Sequence, residues 1–236
     1  DLYRKSDNYR ADAWNRYGDA LYSIREFKSA VGCYEKSAAL GTPEGYYAQY
    51  QRAIALGILG RTSSKIEALN GIVTNDRGDY VDDATFELGR TYIAQEHYRK
   101  GAETLKIFVE NYPSSANHTQ ALLDLGLAYF NLHDAPSSLK YYDKVIAKDP
   151  HSTAAKEALR SVREIYVTTG DVDTYFTYAA KAGVECDLSQ MARDSLSFES
   201  AQKIYIAGRV EEAVLPLENY VANFPKGYYL NDALFY

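Results

Sequence analysis

The apolar positions along this chain have helical spacing, and in the central stretch the same pattern occurs twice. Leu88 and Tyr92 lie four residues apart, as on one stripe of a helix. Leu125 and Tyr129 stand in the same relation 37 residues later. Self-similarity at such a period is typical of stacked repeats, in which one unit cannot bury its apolar face alone.

Each copy also contains a second apolar stripe that ends at a proline. In the first copy this stripe includes Leu105 and Phe108 and ends at Pro113, and in the second copy it ends at Pro150. A short polar break separates the two stripes of each copy. The pattern therefore predicts a helix-turn-helix unit that is repeated.

The residues at the start of the first copy resemble the tetratricopeptide repeat family. With Asp82 counted as the first position, Leu88, Gly89 and Tyr92 occupy the seventh, eighth and eleventh places of the family pattern, and Pro113 occupies the thirty-second. The resemblance implies an all-α fold, a right-handed α-solenoid of tetratricopeptide-like helix-turn-helix repeats.

The length of the unit points to a subclass of that family. The unit exceeds the 34 residues of the common repeat, and the surplus follows the proline, at 114–118. In this it is similar to repeat proteins of the bacterial envelope, of the Tol-Pal-associated and outer-membrane-assembly type. The resemblance implies a periplasmic or outer-membrane-associated location, with a cytoplasmic location as the alternative.

The same register divides the rest of the chain. Five repeats are expected at about 11–45, 46–81, 82–118, 119–155 and 156–182, then an irregular linker at 183–190, then a sixth repeat and the first part of a truncated seventh at 191–236. A polar turn is expected at 75–79. Because the final unit stops in mid-helix, we expect the chain to be an excerpt of a longer protein. Its apolar C-terminal helix is expected either to mediate self-association or to fray.

Composition narrows the classes of partner. The formal net charge is -6 with both signs mixed along the chain, so no basic footprint indicates nucleic-acid binding. No apolar run is long enough for a membrane span, so direct membrane insertion is not expected. The 23 tyrosines are expected mostly in the core and at the seams between helices.

The sequence offers no pattern for catalysis. None of the four histidines has a His or Cys at metal-ligand spacing, and no glycine loop suits a phosphate. Cys33 and Cys186 form no metal or redox motif. We therefore predict no cofactor, no metal and no enzymatic activity. Cys33 belongs to the first unit and Cys186 follows the fifth, with three whole helix pairs between those units. In an elongated stack their Cα atoms would lie too far apart for a disulfide, so both thiols are expected to be free.

The family resemblance also implies a partner-binding groove, which the first helix of each unit lines. The residues at the matching places are Tyr47, Tyr50, Ile54, Phe86, Arg90, Ile93, Leu123, Leu127, Phe130, Asn131, Phe198, Gln202 and Tyr205. The first unit offers polar residues at these places and the fifth offers charged ones. The alternative is that Leu123, Leu127 and Phe130 only contact the neighbouring helix.

Three classes of function remain open from the sequence. The favoured one is a non-enzymatic scaffold that binds partner proteins or peptide segments in a bacterial cell envelope. The second is an interaction module of a larger cytoplasmic regulator. The third is an enzyme whose active part lies outside this sequence.

Overall fold

Every regular element in the described part of the chain is a helix. The computed structural model describes residues 2–75 and 78–236, and within them it contains thirteen helices and no strand. The helices are α1 (Leu2–Ser23), α2 (Phe27–Ala38), α3 (Glu44–Ile58), α4 (Thr62–Asn75), α5 (Val81–Ala94), α6 (Tyr98–Asn111), α7 (His118–Asn131), α8 (Ala135–Lys148), α9 (Thr153–Thr169), α10 (Val172–Ala182), α11 (Gln190–Ile206), α12 (Val210–Asn223) and α13 (Leu230–Phe235). The predicted all-α helical-repeat fold is confirmed. Two residues of the expected polar turn, Asp76 and Arg77, lie outside the described residues.

The chain packs as two compact units, Asp1–Asp124 and Leu125–Tyr236. The boundary between them falls within the sequence of α7. The segment 184–189, within the expected linker, is non-helical and belongs to the second unit. The division of the chain into individual repeats stays a prediction.

In the first unit, neighbouring helices approach closely where the first of them has a glycine. A Cβ atom placed on Gly89 of α5 would lie 2.6 Å from Cδ2 of Leu105 on α6. Leu105 is fully buried, as are Phe108 on α6 and Leu69 on α4. The glycine therefore lets a leucine side chain fill the space between the two helices.

The second unit uses the same arrangement with a tyrosine. A Cβ atom on Gly126 of α7 would lie 2.4 Å from Cε1 of Tyr142 on α8. The Ser138 hydroxyl donates a hydrogen bond of 2.7 Å to the carbonyl oxygen of Gly126, and both groups are buried. Further along, the Ser200 hydroxyl of α11 donates to the Val167 carbonyl of α9. These buried hydroxyls satisfy carbonyls at the helix crossings.

Six of the turns between consecutive helices share one backbone conformation. In each, one residue has a positive φ, and the next residue donates its N–H to the carbonyl five residues before it, which is the hydrogen bond of a Schellman helix end. The residues with positive φ are Arg25, Gly60, Glu96, His133, Gly170 and Gly208. Three of these turns thus hold a side chain in the left-handed region that favours glycine.

Both cysteines are free, as predicted. Cys33 is buried in α2, and Cys186 is half-buried in the segment 184–189. Burial raises the pKa of both thiols, and for Cys33 the nearby Lys36 partly offsets that effect. Neither thiol is therefore activated as a nucleophile by its surroundings.

The turn conformation predicts opposite effects for two matched substitutions in the first unit. Glu96→Gly should raise the free energy of unfolding by about 1 kcal/mol, since the left-handed conformation strains a residue with a Cβ atom. Gly60→Ala should lower it by about the same amount. Because nothing lies within 4 Å of a Cβ at Gly60, that loss isolates the backbone effect. Urea unfolding followed by circular dichroism measures both, and an Ala variant as stable as the parent would contradict the account.

Candidate partner-binding face

The predicted residues of α3 are held by tyrosine contacts. The Tyr47 hydroxyl donates a hydrogen bond of 2.8 Å to Oδ1 of Asp19 on α1. The Tyr50 ring stacks on Tyr80, with ring centroids 5.7 Å apart, and Tyr80 also meets Tyr47 edge-on at 5.8 Å. Tyr47, Tyr50 and Ile54 are half-buried. One side of each tyrosine is therefore occupied by the protein itself, and part of the ring remains accessible.

Asp19 joins the first three helices through two phenols. Its Oδ1 also accepts a hydrogen bond of 2.8 Å from the hydroxyl of Tyr34 on α2. The pKa values of Tyr34 and Tyr47 are both raised, first by burial and then by the hydrogen bond to the Asp19 carboxylate, since ionisation of either phenol would place a second negative charge there. Both phenols therefore stay protonated well above the pH at which an exposed tyrosine ionises.

The predicted residues of α5 differ sharply in exposure. Phe86 is buried, with its ring 5.4 Å from that of Phe108. Arg90 is exposed and its guanidinium lies 5.5 Å from the Phe86 ring centroid. The Arg90 Nε lies 3.3 Å from Oδ2 of Asp124. Thus Phe86 belongs to the core, and Arg90 presents a cation that an aromatic ring and a carboxylate orient. The side chain of Ile93, further along the helix, is half-buried.

The predicted residues of α7 lie on both sides of the division between the units. Leu123 of the first unit is buried. In the second unit Leu127 is 43% exposed, and Phe130 and Asn131 are half-buried. The Asn131 amide donates a hydrogen bond of 2.9 Å to the carbonyl oxygen of Leu127. Leu127 is therefore the apolar side chain of this helix that is most open to a partner.

The predicted residues of α11 contact the end of the chain. Phe198 is buried and stacks on Tyr229 with centroids 4.7 Å apart. The Gln202 amide donates a hydrogen bond of 2.9 Å to the hydroxyl of Tyr236, and the Tyr205 ring lies 4.8 Å from the Tyr236 ring. These three positions therefore hold the segment around α13 against α11.

The thirteen predicted residues thus fall into three classes of exposure. Phe86, Leu123 and Phe198 are buried, Arg90 and Leu127 are exposed, and Tyr47, Tyr50, Ile54, Ile93, Phe130, Asn131, Gln202 and Tyr205 are intermediate. The role of each in binding stays a prediction. We call the accessible members of this set the first-helix face.

Sequence reasoning missed Tyr80, which packs against both Tyr47 and Tyr50. It lies immediately before α5, and the residue 37 positions later is Asn117. Because the duplicated central stretch has no second aromatic residue at this place, its period did not indicate Tyr80, although Tyr229 stands at the equivalent place after Pro225.

Two further features concern sites of other kinds. Within residues 2–75 and 78–236, no three His, Cys, Asp or Glu side chains come together as metal ligands. None of the helices that the structure describes is both long and apolar enough to cross a membrane.

The central stretch has a family match. Residues 86–153 match the model of the tetratricopeptide repeat family, which is the part of the chain where the pattern is duplicated. No curated protein matches the chain in sequence. The resemblance to the family is supported over this stretch, and the envelope subclass stays a prediction.

Solved structures share the fold at low sequence identity. MamA from Desulfovibrio magneticus RS-1 is 17% identical with a TM-score of 0.61, covering 73% of this chain and 93% of that one. A tetratricopeptide repeat protein from Parabacteroides merdae is 13% identical with a TM-score of 0.63, covering 91% of this chain and 80% of that one. The tetratricopeptide-like repeats of a putative kinesin light chain from Podospora anserina are 14% identical with a TM-score of 0.58, covering 73% and 92%. Likeness at these identities establishes the helical-repeat fold.

The phenols on Asp19 predict a loss of stability at alkaline pH. Their pKa values are higher in the folded protein than the ordinary 10.0, so the unfolded chain loses these protons first. These two phenols should therefore leave the free energy of unfolding unchanged below pH 10. They should lower it as the pH rises above 10. Urea unfolding at a series of alkaline pH values measures the fall. It should be shallower in the Tyr34→Phe, Tyr47→Phe double variant, and an unchanged slope would contradict the assignment.

Proposed function

We propose that this protein is a non-enzymatic scaffold that binds partner proteins or peptide segments through the first-helix face. The observation that carries the proposal is the exposure of Arg90 and Leu127 on helices that Phe86 and Leu123 anchor in the core. Rigid helices that present a few open apolar and cationic side chains suit a peptide in a groove. The match of residues 86–153 to the tetratricopeptide repeat family supports this choice.

The first unit supplies aromatic and cationic contacts. Tyr47 and Tyr50 are half-buried on α3, and Arg90 is exposed on α5 with its guanidinium over the Phe86 ring. Tyrosine and arginine are enriched among the residues that contribute most to protein interfaces. Because Tyr80 and Asp124 already fix Tyr50 and Arg90, little side-chain entropy is lost when a partner binds.

Binding should depend on the first helices and not on the second helices. We expect Leu127→Ser on α7 to weaken binding about tenfold, since it removes the most exposed apolar side chain of that helix. Ile107→Ser is the matched control, because Ile107 is 53% exposed on α6, the second helix of its pair. The probe is a synthetic peptide selected on the purified chain from a random phage-displayed library and measured by isothermal titration calorimetry.

The outcomes of this experiment separate the two faces. Arg90→Ala should also weaken the peptide, while Ile107→Ser should leave its affinity unchanged. Equal losses in Leu127→Ser and Ile107→Ser, or no loss in Leu127→Ser and Arg90→Ala, would refute the proposal.

We also propose a bacterial periplasmic or outer-membrane-associated location. The support is the surplus after the repeat proline, at 114–118, which is similar to envelope repeat proteins. Fractionation of the source cells into periplasm, outer membrane and cytoplasm, followed by immunoblotting of the native protein, tests it. Recovery with a cytoplasmic marker would reject this location.

Self-association through the last helix is a further part of the proposal. Tyr229 and Tyr236 pack against α11, while Leu234 and Phe235 are 67% and 86% exposed. Two adjacent exposed apolar side chains favour contact with a second copy. Sedimentation of the chain over a range of concentrations should show association that Phe235→Ser reduces. A monomer at every concentration would contradict it.

A further inference from the structure

A cleft of about 780 Å³ lies in the second unit between the start of α11 and the turn that follows α12. Its size falls within the range of ordinary ligand sites. The residues that line it lie within 190–195 and 223–229. None of them belongs to the first-helix face.

Hydrogen bonds fix one wall of this cleft in place. Oδ1 of Asp194 accepts from the Tyr220 hydroxyl at 2.5 Å, and Oδ2 accepts from the backbone N–H of Tyr228 at 2.9 Å. The Tyr220 hydroxyl in turn accepts from the N–H of Tyr229 at 3.0 Å. The turn after α12 is thus tied to α11 by side chains, so the cleft is formed before a ligand arrives.

A glycine makes this close approach possible. A Cβ atom on Gly227 would lie 2.6 Å from the Tyr220 hydroxyl and 2.8 Å from Cβ of Phe224. In the third repeat, aligned on Pro113 and Pro225, a phenylalanine (Phe108) stands at the place of Tyr220 and a serine stands at the place of Gly227. The third repeat therefore lacks this combination.

Two of the most exposed side chains that line the cleft are apolar. Met191 is 79% exposed and Tyr228 is 87% exposed, although both border a concave surface. Tyr228 rests edge-on against Tyr229, with centroids 5.0 Å apart, and Tyr229 stacks on the buried Phe198. A large apolar side chain of a ligand would therefore meet a flexible thioether on one side and an anchored aromatic ring on the other.

The charged group of the cleft that remains available to a ligand is the ammonium of Lys226. Asp194 uses both carboxylate oxygens to hold the turn, as described above. Lys226 is exposed, and it forms no ion pair with any residue that the structure describes. An apolar ligand group with a neighbouring carboxylate would complement this surface.

We propose that this cleft is a second peptide site, which accepts a segment with one large apolar side chain beside an acidic residue. The apolar side chain lies between Met191 and Tyr228, and the carboxylate faces Lys226. The site is independent of the first-helix face and goes beyond the proposed function.

A defined peptide panel tests the cleft on the full chain. The probes are N-acetylated, C-amidated pentapeptides with a central Phe, Leu or Trp between two Glu residues, and the same peptides with Gln in place of Glu. Titration followed by amide chemical shifts of the isotope-labelled protein gives the dissociation constants. We expect saturable binding of at least one Glu peptide, with shifts at 190–195 and 223–229.

Variants of exposed residues distinguish the parts of the site without disturbing the core. Tyr228→Ser should weaken the Glu peptide about tenfold. Lys226→Gln should weaken it about threefold and leave the Gln peptide unchanged, since an exposed ion pair contributes little. Leu215→Ser, on the exposed surface of α12 and outside the cleft, is the matched control and should change nothing.

Three results would overturn the proposal. They are the absence of saturable binding by every peptide of the panel, equal losses in Tyr228→Ser and Leu215→Ser, and binding that Arg90→Ala or Leu127→Ser weakens while Tyr228→Ser does not. The last result would assign the peptides to the first-helix face, so the two proposals fail separately.

Discussion

The close approach of paired helices at a glycine is the constraint on which the rest of this structure depends. Gly18 faces Tyr34, and a Cβ atom there would lie 2.6 Å from the ring. A Cβ atom on Gly89 would likewise lie 2.6 Å from the Leu105 side chain, and one on Gly126 would lie 2.4 Å from the Tyr142 ring. Interiors are packed at nearly crystalline density, so a side chain at any of these glycines would push the pair apart. The large residue opposite each glycine sets the distance between the helices and thus the positions of all other residues on them.

This constraint limits what the first helices have left for a partner. One stripe of each first helix meets its own second helix, and a further stripe packs against the helices that follow. In α5, for example, Leu88 and Gly89 are buried, and so is Phe86, which was expected in the groove. The open positions are those between the two stripes, such as Arg90. A helical-repeat surface of this kind offers a partner few contacts from each helix and therefore needs several helices to bind it.

The fold could be predicted from the sequence because its signals are local and recur. The Leu-Gly pair and the proline 24 residues after the glycine, as in Gly89 and Pro113, mark a helix crossing and a unit end wherever they occur. Exposure within the face could not be predicted from the family resemblance, because it assigns all of these places to one groove. Phe86, Leu123 and Phe198 share one place of the repeat and are all buried. Arg90 and Leu127 share the place one turn later and are both exposed. The burial depends on side chains from other elements, such as the Tyr229 ring that stacks on Phe198, and the family pattern does not specify these contacts.

The two proposed surfaces also differ in how the sequence could reveal them. The first-helix face repeats with the period of the chain, so an alignment of the units indicates it. The cleft depends on the joint presence of Asp194, Tyr220 and Gly227, two of which are absent from the equivalent places of the third repeat. Each substitution looks neutral alone, since a phenylalanine fills the core as well as a tyrosine. The phenol changes the local structure only when a carboxylate can accept its hydrogen bond and the glycine leaves room for its oxygen. A departure from the repeat pattern at two linked positions is therefore more informative about a specific site than the pattern itself.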